Sequence, residues 1–409
     1  MKNKLLSYKN FINDSLWSMA GLLLMNVVAQ FAVYPIWAKV FGDEGYGNIL
    51  YLISIINIVA VSGGCALNLS RMVASSKSTT KNGNYNIILL CTNIVCIPVC
   101  IIVSLVSSVD MNVYDIILFW ILMCLTLWRY YSDVEYRLSL NYKGYFFYYL
   151  WISLGYGFGL LLFHITKIWQ LALIPGELLG ILIVFFKGTT IRQGFLKLDK
   201  QLSVCVKSFL YLISAQLLSN LIFNSDRIVL KFLVSASAVS IYFIASLFGK
   251  TVSLLTMPLN SVVIGHISKY KGAFTKKTVL KLLVLLLFSV FIIGIACTVA
   301  SFIVLRFLYP DEFDTVKHYL FIANLGQIFY FISGIFTTII LRFAEEKCQL
   351  YINIMYGITF VALVIPMSIW GNLYTFSLAI LITNILRFAY AAGFAFYYAE
   401  SSLKEVQDD

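Results

Sequence analysis

The sequence predicts an all-α polytopic membrane protein with twelve transmembrane helices in two six-helix lobes. Of its 409 residues, 60% are apolar or aromatic and only 12% are charged, whereas soluble domains average roughly 45 to 50% apolar and about 25% charged. Apolar runs of 19 or more residues recur along the chain, and a spanning helix needs about 20 such residues. Twelve spans leave no room for a sizeable water-soluble domain.

The runs place the spans, in chain order, at 15–39, 46–69, 84–107, 113–131, 145–165, 168–187, 208–232, 236–264, 280–305, 318–341, 350–370 and 373–398. They lack the period-2 alternation of membrane barrel strands. Helices are therefore predicted, because each helix satisfies its own backbone groups within the bilayer. The first run is too long for a signal peptide and has no convincing cleavage site, so it is expected to remain as a helix.

Basic residues in the loops predict the orientation. With the N-terminus inside, 22 Lys and Arg residues fall on one side and five on the other, and cytoplasmic loops are the ones enriched in these residues. Both termini are therefore predicted to be cytoplasmic. Since the basic residues are spread over short loops, the net charge of +11 does not indicate nucleic-acid binding.

An internal repeat indicates the two lobes. A shift of 192 residues aligns the first two spans with the seventh and eighth, with nine identities in 47 positions, including Ile36 with Ile228, Lys39 with Lys231, Leu67-Asn68 with Leu259-Asn260, and Ser76-Lys77 with Ser268-Lys269. A parallel repeat of six helices places a substrate path between the lobes; coincidence between two apolar hairpins is the alternative. The predicted boundaries are 1–190 for the first lobe, 191–207 for a cytoplasmic linker and 208–409 for the second lobe.

Three short sequence features accompany this architecture. They are the first outer turn, 41–47 (FGDEGYG), the seventh-span segment 224–231 (NSDRIVLK) and Tyr242 in the eighth span. Together with the six-plus-six helices, they resemble the Wzx-type O-antigen flippases of the multidrug/oligosaccharidyl-lipid/polysaccharide (MOP) exporter superfamily. The resemblance implies transport of an undecaprenyl-pyrophosphate-linked oligosaccharide from the cytoplasmic to the periplasmic leaflet of a bacterial inner membrane. It also implies a polysaccharide polymerase and chain-length machinery as candidate partners, beside membrane lipids.

Ionisable residues at membrane depth are the candidate site residues, because each costs about 2.5 to 3.5 kcal/mol to insert and usually faces a cavity or a partner. The predicted contacts to an anionic substrate are Lys250 and Arg387 first, then Arg227 and Lys231, then Arg129 and Lys39. A structural ion pair is the alternative for the first two. Snorkelling to the interface is the alternative for Lys39, Lys231 and Arg129.

Two carboxylates, Glu177 and Asp226, are the candidates for binding a coupling ion. The alternatives are that Asp226 pairs with a nearby cation and that Glu177 caps a helix break at Pro175. No metal site or cofactor is predicted, because none of the eight cysteines has a metal-binding spacing and the three histidines lie near different span ends. The glycines of 155–159 (GYGFG) are interpreted as helix-packing positions, and the aromatic run 145–151 as an interfacial belt.

Two other functions compete with a flippase. A cation-coupled multidrug exporter would favour acidic residues in its cavity, whereas cations outnumber acids among the candidates. A membrane polysaccharide polymerase or ligase would carry a long periplasmic loop with catalytic residues, whereas the longest predicted outer loop, 306–317, has about a dozen residues. The sequence therefore predicts a transporter rather than an enzyme.

Overall fold

The computed structural model describes residues 2–75, 81–254, 275–340 and 347–408, and within these ranges it contains helices and no strand. The chain divides into two compact units, residues 1–40 with 45–228 and residues 41–44 with 229–409. The first unit holds α1 (Lys2–Val28), most of α2 (Tyr34–Ile56), α3 (Ser62–Ser75), α4 (Asn82–Val106), α5 (Val113–Ser132), α6 (Val134–Leu138), α7 (Tyr142–Thr166), α8 (Ile174–Lys187) and most of α9 (Leu202–Leu233).

The second unit contains six helices among the described residues, and three of them pack against the third long one. It comprises α10 (Ala236–Ser253), α11 (Lys276–Leu308), α12 (Phe313–Val316), α13 (Leu320–Ile340), α14 (Lys347–Ile369) and α15 (Leu373–Asp408). Helix α13 packs against α10, α11 and α15, and α14 packs against α15. Phe336 of α13 and Phe388 of α15 lie in the buried apolar core that these helices share.

Among the described residues, ten helices are long and apolar enough to cross a membrane. The first of them, Leu16–Ala74, has 59 residues and joins two predicted spans through the turn at Gly42 and two π-helical turns. The predicted sixth span is split into a 3₁₀ turn, Trp169–Ala172, and the 14-residue α8, which alone rises only about 21 Å. When Leu16–Ala74 is counted as two passes and the split sixth span as one, the twelve predicted passes are confirmed. The all-α polytopic fold class is also confirmed.

Parts of the sequence prediction lie outside the described residues. These are the end of the predicted eighth span, 255–264, and the repeat positions Ser76, Lys77, Leu259, Asn260, Ser268 and Lys269. The even number of passes puts both chain ends on one side of the membrane. That this side is the cytoplasm stays a prediction.

The seventh pass, α9, groups with the first unit as far as Ile228, whereas the sequence prediction begins the second lobe at 208. Polar contacts give the physical reason. Ser70 Oγ donates to Ser208 Oγ at 3.0 Å, and Asn220 Nδ2 donates to Ser62 Oγ at 2.8 Å. Hydrogen bonds between helices hold α9 along the second pass, because unpaired polar side chains are costly in hydrocarbon.

The first outer turn, Phe41–Glu44, belongs to the second unit. Gly42 has φ +67°, a left-handed conformation that glycine adopts without steric cost. Asp43 Oδ1 accepts a hydrogen bond of 3.4 Å from Ser240 Oγ of α10. Glycine therefore breaks the helix here and lets the turn pack against the start of α10.

The segment 188–201 is bound to the first unit by three asparagines at the start of α4. The side-chain amide of Asn82 donates to the backbone carbonyls of Thr189 and Gln193. The side-chain amide of Asn86 donates to those of Ile191 and Phe195. Asn84 Nδ2 donates to Asp199 Oδ1 at 2.6 Å. The segment predicted to be a linker is thus part of the first unit.

The Asp199 carboxyl is charged in this arrangement. The hydrogen bond from Asn84, together with backbone N–H groups of Gln201 and Lys81, holds the pKa of Asp199 below its usual value. A carboxyl with a lowered folded-state pKa stabilises the fold above its unfolded pKa, and the contribution is lost as pH falls through the folded pKa. The contact is therefore fully formed at neutral pH.

Gly83→Ala is expected to loosen the segment 188–201, because a Cβ at this position would lie 2.6 Å from the backbone nitrogen of Lys197. Overpacking of this kind costs typically about 1 to 3 kcal/mol. Limited trypsin digestion should cleave faster after Lys197 and Lys200 in the variant. Gly393→Ala is the matched control, since a Cβ there meets nothing within 4 Å. Equal cleavage rates in the two variants would contradict the expectation.

Candidate functional site: buried charges in the two units

Arg129 of α5 and Glu177 of α8 form a buried ion pair in the first unit. Both side chains are 4% exposed, and Arg129 Nε donates to Glu177 Oε2. Tyr156 OH donates to the other carboxylate oxygen at 2.7 Å, and the Arg129 guanidinium lies 4.0 Å from the Tyr130 ring centroid. A predicted substrate contact and a predicted coupling-ion ligand therefore bind each other.

A second buried carboxylate, Asp133, lies one helical turn beyond Arg129. It accepts hydrogen bonds from Tyr149 OH at 3.1 Å and Tyr145 OH at 3.2 Å, and one from Asn68 Nδ2. Arg137 Nε lies 3.2 Å from Asp133 Oδ1, the oxygen that also accepts from Asn68. The sequence prediction did not include this cluster, although Arg129, Asp133 and Arg137 are spaced four apart and so share one helix face.

The aromatic run at the start of α7 has two kinds of members. Tyr145, Tyr148 and Tyr149 are buried, and their hydroxyls donate to Asp133 or, for Tyr148, to the Arg129 carbonyl. Phe147 and Trp151 are 45% and 51% exposed. The interfacial-belt interpretation is therefore wrong for the three buried tyrosines and stays a prediction for the two exposed residues.

Two glycines of the 155–159 motif allow α7 to approach its neighbours closely. A Cβ on Gly155 would overlap Gly176 of α8, and one on Gly159 would overlap the carbonyl of Ala172 in the 3₁₀ turn. A Cβ on Gly157 would meet nothing within 4 Å. The packing interpretation is confirmed for Gly155 and Gly159. This close approach places Tyr156 against Glu177.

Gly159→Ala is expected to destabilise the purified protein by about 1 to 3 kcal/mol, because the added methyl group forces α7 away from the 3₁₀ turn. Gly157→Ala is the control two residues away. It should be neutral or slightly stabilising, since alanine is the better helix former. Thermal unfolding in detergent measures both, and equal midpoints for the two variants would contradict the packing assignment.

The membrane helices of the second unit differ from those of the first in their charges. The segments 236–253, 276–308, 320–340, 347–369 and 373–399 contain no Asp or Glu. Two candidate cations lie within them, Lys250 in the last turn of α10 and Arg387 in the middle of the segment 373–399. Lys250 is 4% exposed.

Tyrosine rings hold Arg387. Its guanidinium carbon lies 4.2 Å from the ring centroid of Tyr330 on α13 and 5.2 Å from that of Tyr356 on α14. Nη1 lies 3.5 Å from the Tyr330 carbonyl oxygen, and Nε is buried without a hydrogen-bond partner among the described residues. Cation–π contact offsets part of the cost of burying the charge.

Helix α13 brings the neighbourhoods of both cations together. Gly249, next to Lys250, donates its backbone N–H to Asn324 Oδ1 at 2.7 Å, and a Cβ on it would lie 2.8 Å from Gln327 Cβ. Tyr330, whose ring contacts Arg387, lies three residues beyond Gln327, about 4.5 Å along the helix axis. Asn324 also donates to Ser301 Oγ of α11 at 3.0 Å. One face of α13 therefore contacts Arg387 and the backbone next to Lys250.

The four remaining candidates lie along α2 and α9. Asp226 and Arg227 are buried, and Asp226 Oδ1 accepts a hydrogen bond from the Arg227 backbone N–H at 2.9 Å. Lys39 is exposed and Lys231 is half-buried. The structure thus unites Arg129 with Glu177, and it places Arg387 of α15 and Gly249, the neighbour of Lys250 in α10, against the same helix, α13.

Possible metal ligands do not cluster in the described ranges. There, no group of three or more His, Cys, Asp or Glu side chains is arranged to hold a metal ion. The eight cysteines are free thiols.

Solved structures with the same arrangement of helices identify the fold. The lipid II flippase MurJ in an inward closed conformation superposes with a TM-score of 0.69 at 15% identity, covering 96% of this chain and 90% of MurJ. The chain has the MurJ–MATE fold. An inward-facing MATE multidrug resistance transporter of the MOP superfamily gives a TM-score of 0.66 at 11% identity, covering 96% of each chain. The Vibrio cholerae MATE transporter VcmN gives 0.61 at 13% identity, covering 96% and 97%.

No protein-family model and no curated protein sequence matches the chain. The chain shares the fold of MurJ and the MATE transporters, and membership of the Wzx-type branch stays a prediction. That fold is carried by lipid flippases and by drug exporters alike. The choice between them therefore depends on the charges of this chain's own membrane helices.

Proposed function

We propose that the protein is a flippase that moves a lipid-linked oligosaccharide, with its pyrophosphate, between the leaflets of a bacterial inner membrane. One observation carries the proposal: Arg387 lies at membrane depth between two tyrosine rings, in a unit whose membrane helices contain no carboxylate. Uncompensated positive charge of this kind favours an anionic ligand. MurJ, which has the same fold, is a lipid II flippase.

A lipid pyrophosphate is a polar anion that must cross about 30 Å of hydrocarbon. Arginine lowers the barrier by replacing water around the phosphates with bidentate, charge-assisted hydrogen bonds. Arg387 and Lys250 are the proposed central contacts, with Arg227, Lys231 and Lys39 toward the outer side. Arg129 contributes less, because Glu177 already neutralises it.

The membrane potential favours transport from the cytoplasmic to the periplasmic leaflet. Outward movement of an anion from a negative interior is downhill by about 2.3 kcal/mol per charge per 100 mV. Undecaprenyl-pyrophosphate oligosaccharide, delivered to a polysaccharide polymerase and its chain-length machinery, is the proposed substrate. The polyprenyl chain stays in lipid throughout, so only the headgroup needs a polar path.

The MATE structures support a second candidate, a cation-coupled drug exporter. Such a protein needs a carboxylate that can bind and release a cation. In the first unit, Glu177 and Asp133 each form an ion pair with an arginine, and the buried Asp226 lies directly before Arg227 in α9 and accepts its backbone N–H. A carboxylate held by a permanent cation binds another cation weakly. The charge pattern therefore favours the flippase over the exporter.

Transport by purified protein in liposomes tests the proposal. A fluorescent undecaprenyl-pyrophosphate oligosaccharide is placed in one leaflet, and its exposure to a membrane-impermeant quencher is followed over time. The protein should move this lipid, and a cationic dye under a proton or sodium gradient should stay in place. Dye export without lipid movement would replace the flippase with the exporter. In the host, deletion of the gene should remove surface polysaccharide and leave the lipid-linked repeat unit on the cytoplasmic face.

A further inference from the structure

A cleft of about 320 Å³ opens on the first unit, where α7 begins and α8 ends. This is within the range of ligand sites, roughly 300 to 1,000 Å³. The cleft is separate from the candidate site residues. It is lined by Glu135, Tyr136, Ser139, Asn141, Gly144, Phe147, Tyr148, Trp151, Ile183, Lys187 and Gly188.

Two opposite charges line this cleft. Glu135 accepts hydrogen bonds from the backbone N–H groups of Thr189 and Thr190 at 2.9 and 2.8 Å, which fix its carboxylate in place. A Cβ on Gly188 would lie 3.0 Å from the Glu135 carboxyl carbon, so the carboxylate lies against the residue that follows Lys187. Within 81–254, no ion pair joins Lys187 to Glu135. A cation and an anion thus line the same cleft, and the carboxylate is the one that hydrogen bonds fix in place.

The cleft is also amphipathic. Phe147 and Trp151 are about half exposed on α7, five and nine residues after its first residue, Tyr142. Ser139, Asn141 and Lys187 are exposed polar residues of the same lining. A ligand that fills the cleft therefore needs a polar, charged head and an apolar chain.

We propose that this cleft binds the headgroup of an aminophospholipid from the cytoplasmic leaflet. The Lys187 ammonium contacts the phosphate, and Glu135 Oε1 accepts a hydrogen bond from the primary ammonium of the headgroup. The acyl chains lie along Phe147 and Trp151. A purely anionic headgroup would meet the Glu135 carboxylate, and a choline headgroup has no N–H to donate.

The site is independent of the proposed function, because none of the residues that line it is a proposed substrate contact. It lies where the start of α7, the end of α8 and the segment 188–201 meet. A lipid bound there would hold these three parts together at the cytoplasmic interface. The proposal can therefore hold for a flippase and for an exporter alike.

Native mass spectrometry of the full-length protein in detergent tests the site. Phosphatidylethanolamine, phosphatidylcholine and phosphatidylglycerol with identical acyl chains are titrated separately. We expect the ethanolamine lipid to bind about tenfold more tightly than the choline lipid, and Lys187→Gln to weaken it about tenfold, as expected for loss of one charge-assisted hydrogen bond. Glu135→Gln should remove the preference over choline. The Gln carbonyl can still accept the Thr189 and Thr190 N–H groups, and an unchanged thermal midpoint verifies the fold.

Lys143→Gln is the matched control, since Lys143 is exposed on the first turn of α7 and does not line the cleft. It should bind the ethanolamine lipid as the wild type does. Equal binding of all three lipids, or equal losses in Lys143→Gln and Lys187→Gln, would overturn the proposal in favour of non-specific annular lipid. Soluble glycerophosphoethanolamine should not displace the lipid at equal concentration; displacement would overturn the assignment to a membrane lipid.

Discussion

Glu177→Ala is expected to destabilise the protein by about 3 to 5 kcal/mol, the cost of removing one partner from a buried ion pair. The substitution leaves the Arg129 guanidinium buried without its carboxylate and removes the acceptor of the Tyr156 hydroxyl. It also separates α5 from α8, whose contact this pair bridges. Thermal unfolding of the purified protein in detergent measures the loss.

The double variant Arg129→Met/Glu177→Leu separates the pair from the packing around it. Replacing both charges by apolar side chains of similar volume is often neutral or stabilising, so the double variant should be far more stable than Glu177→Ala. Asp314→Ala is the control. Its partner Lys317 lies 2.7 Å away, but Asp314 is 87% exposed, and exposed pairs contribute little. If the thermal midpoint of Glu177→Ala lay close to that of Asp314→Ala, the buried ion pair would not stabilise the fold.

Arg387→Met is expected to reduce flipping of the pyrophosphate-linked lipid about tenfold or more without lowering stability. A hydrogen bond to a charged group contributes about 1.5 to 3 kcal/mol, which is roughly a ten- to hundredfold effect on an equilibrium. Methionine fills the space between Tyr330 and Tyr356 and removes a costly buried charge. The liposome quencher assay and thermal unfolding measure the two properties separately.

Conservative variants test whether charge is what matters. Arg387→Lys should retain part of the transport because it keeps the charge and loses the planar fork. Lys250→Arg should retain more transport than Lys250→Ala for the same reason. Arg306→Met is the control, because Arg306 is exposed near the end of α11. Full transport by Arg387→Met would mean that this cation does not contact the substrate.

The number of passes could be predicted from the sequence because the bilayer sets the length of each apolar run. The helix type and the breaks within each pass could not be predicted in this way. The predicted sixth span is a 3₁₀ turn followed by a short helix, and hydropathy is the same for both. The grouping of most of α9 with the first unit could not be predicted either, because serine and asparagine contacts between helices leave no trace in a hydropathy profile.

The candidate site was only partly visible in the sequence. Depth in an apolar run singled out Lys250, Arg387, Arg129 and Glu177, since any charge there is costly. Depth does not reveal which charges meet. Arg129 and Glu177 are 48 residues apart in the chain, and only the packing of α5 on α8 joins them.

Sequence alone determined that this is a multi-pass helical membrane protein and that the membrane helices after residue 235 carry cations without carboxylates. Both are properties of composition along single helices. Tertiary structure decided which of these charges meet an opposite charge and which meet aromatic rings. Packing pairs Arg129 with Glu177, and it places Arg387 against the rings of Tyr330 and Tyr356. The reason is that a charge in hydrocarbon is stabilised by whatever neighbouring helices present within about 4 Å, and only the fold sets those neighbours.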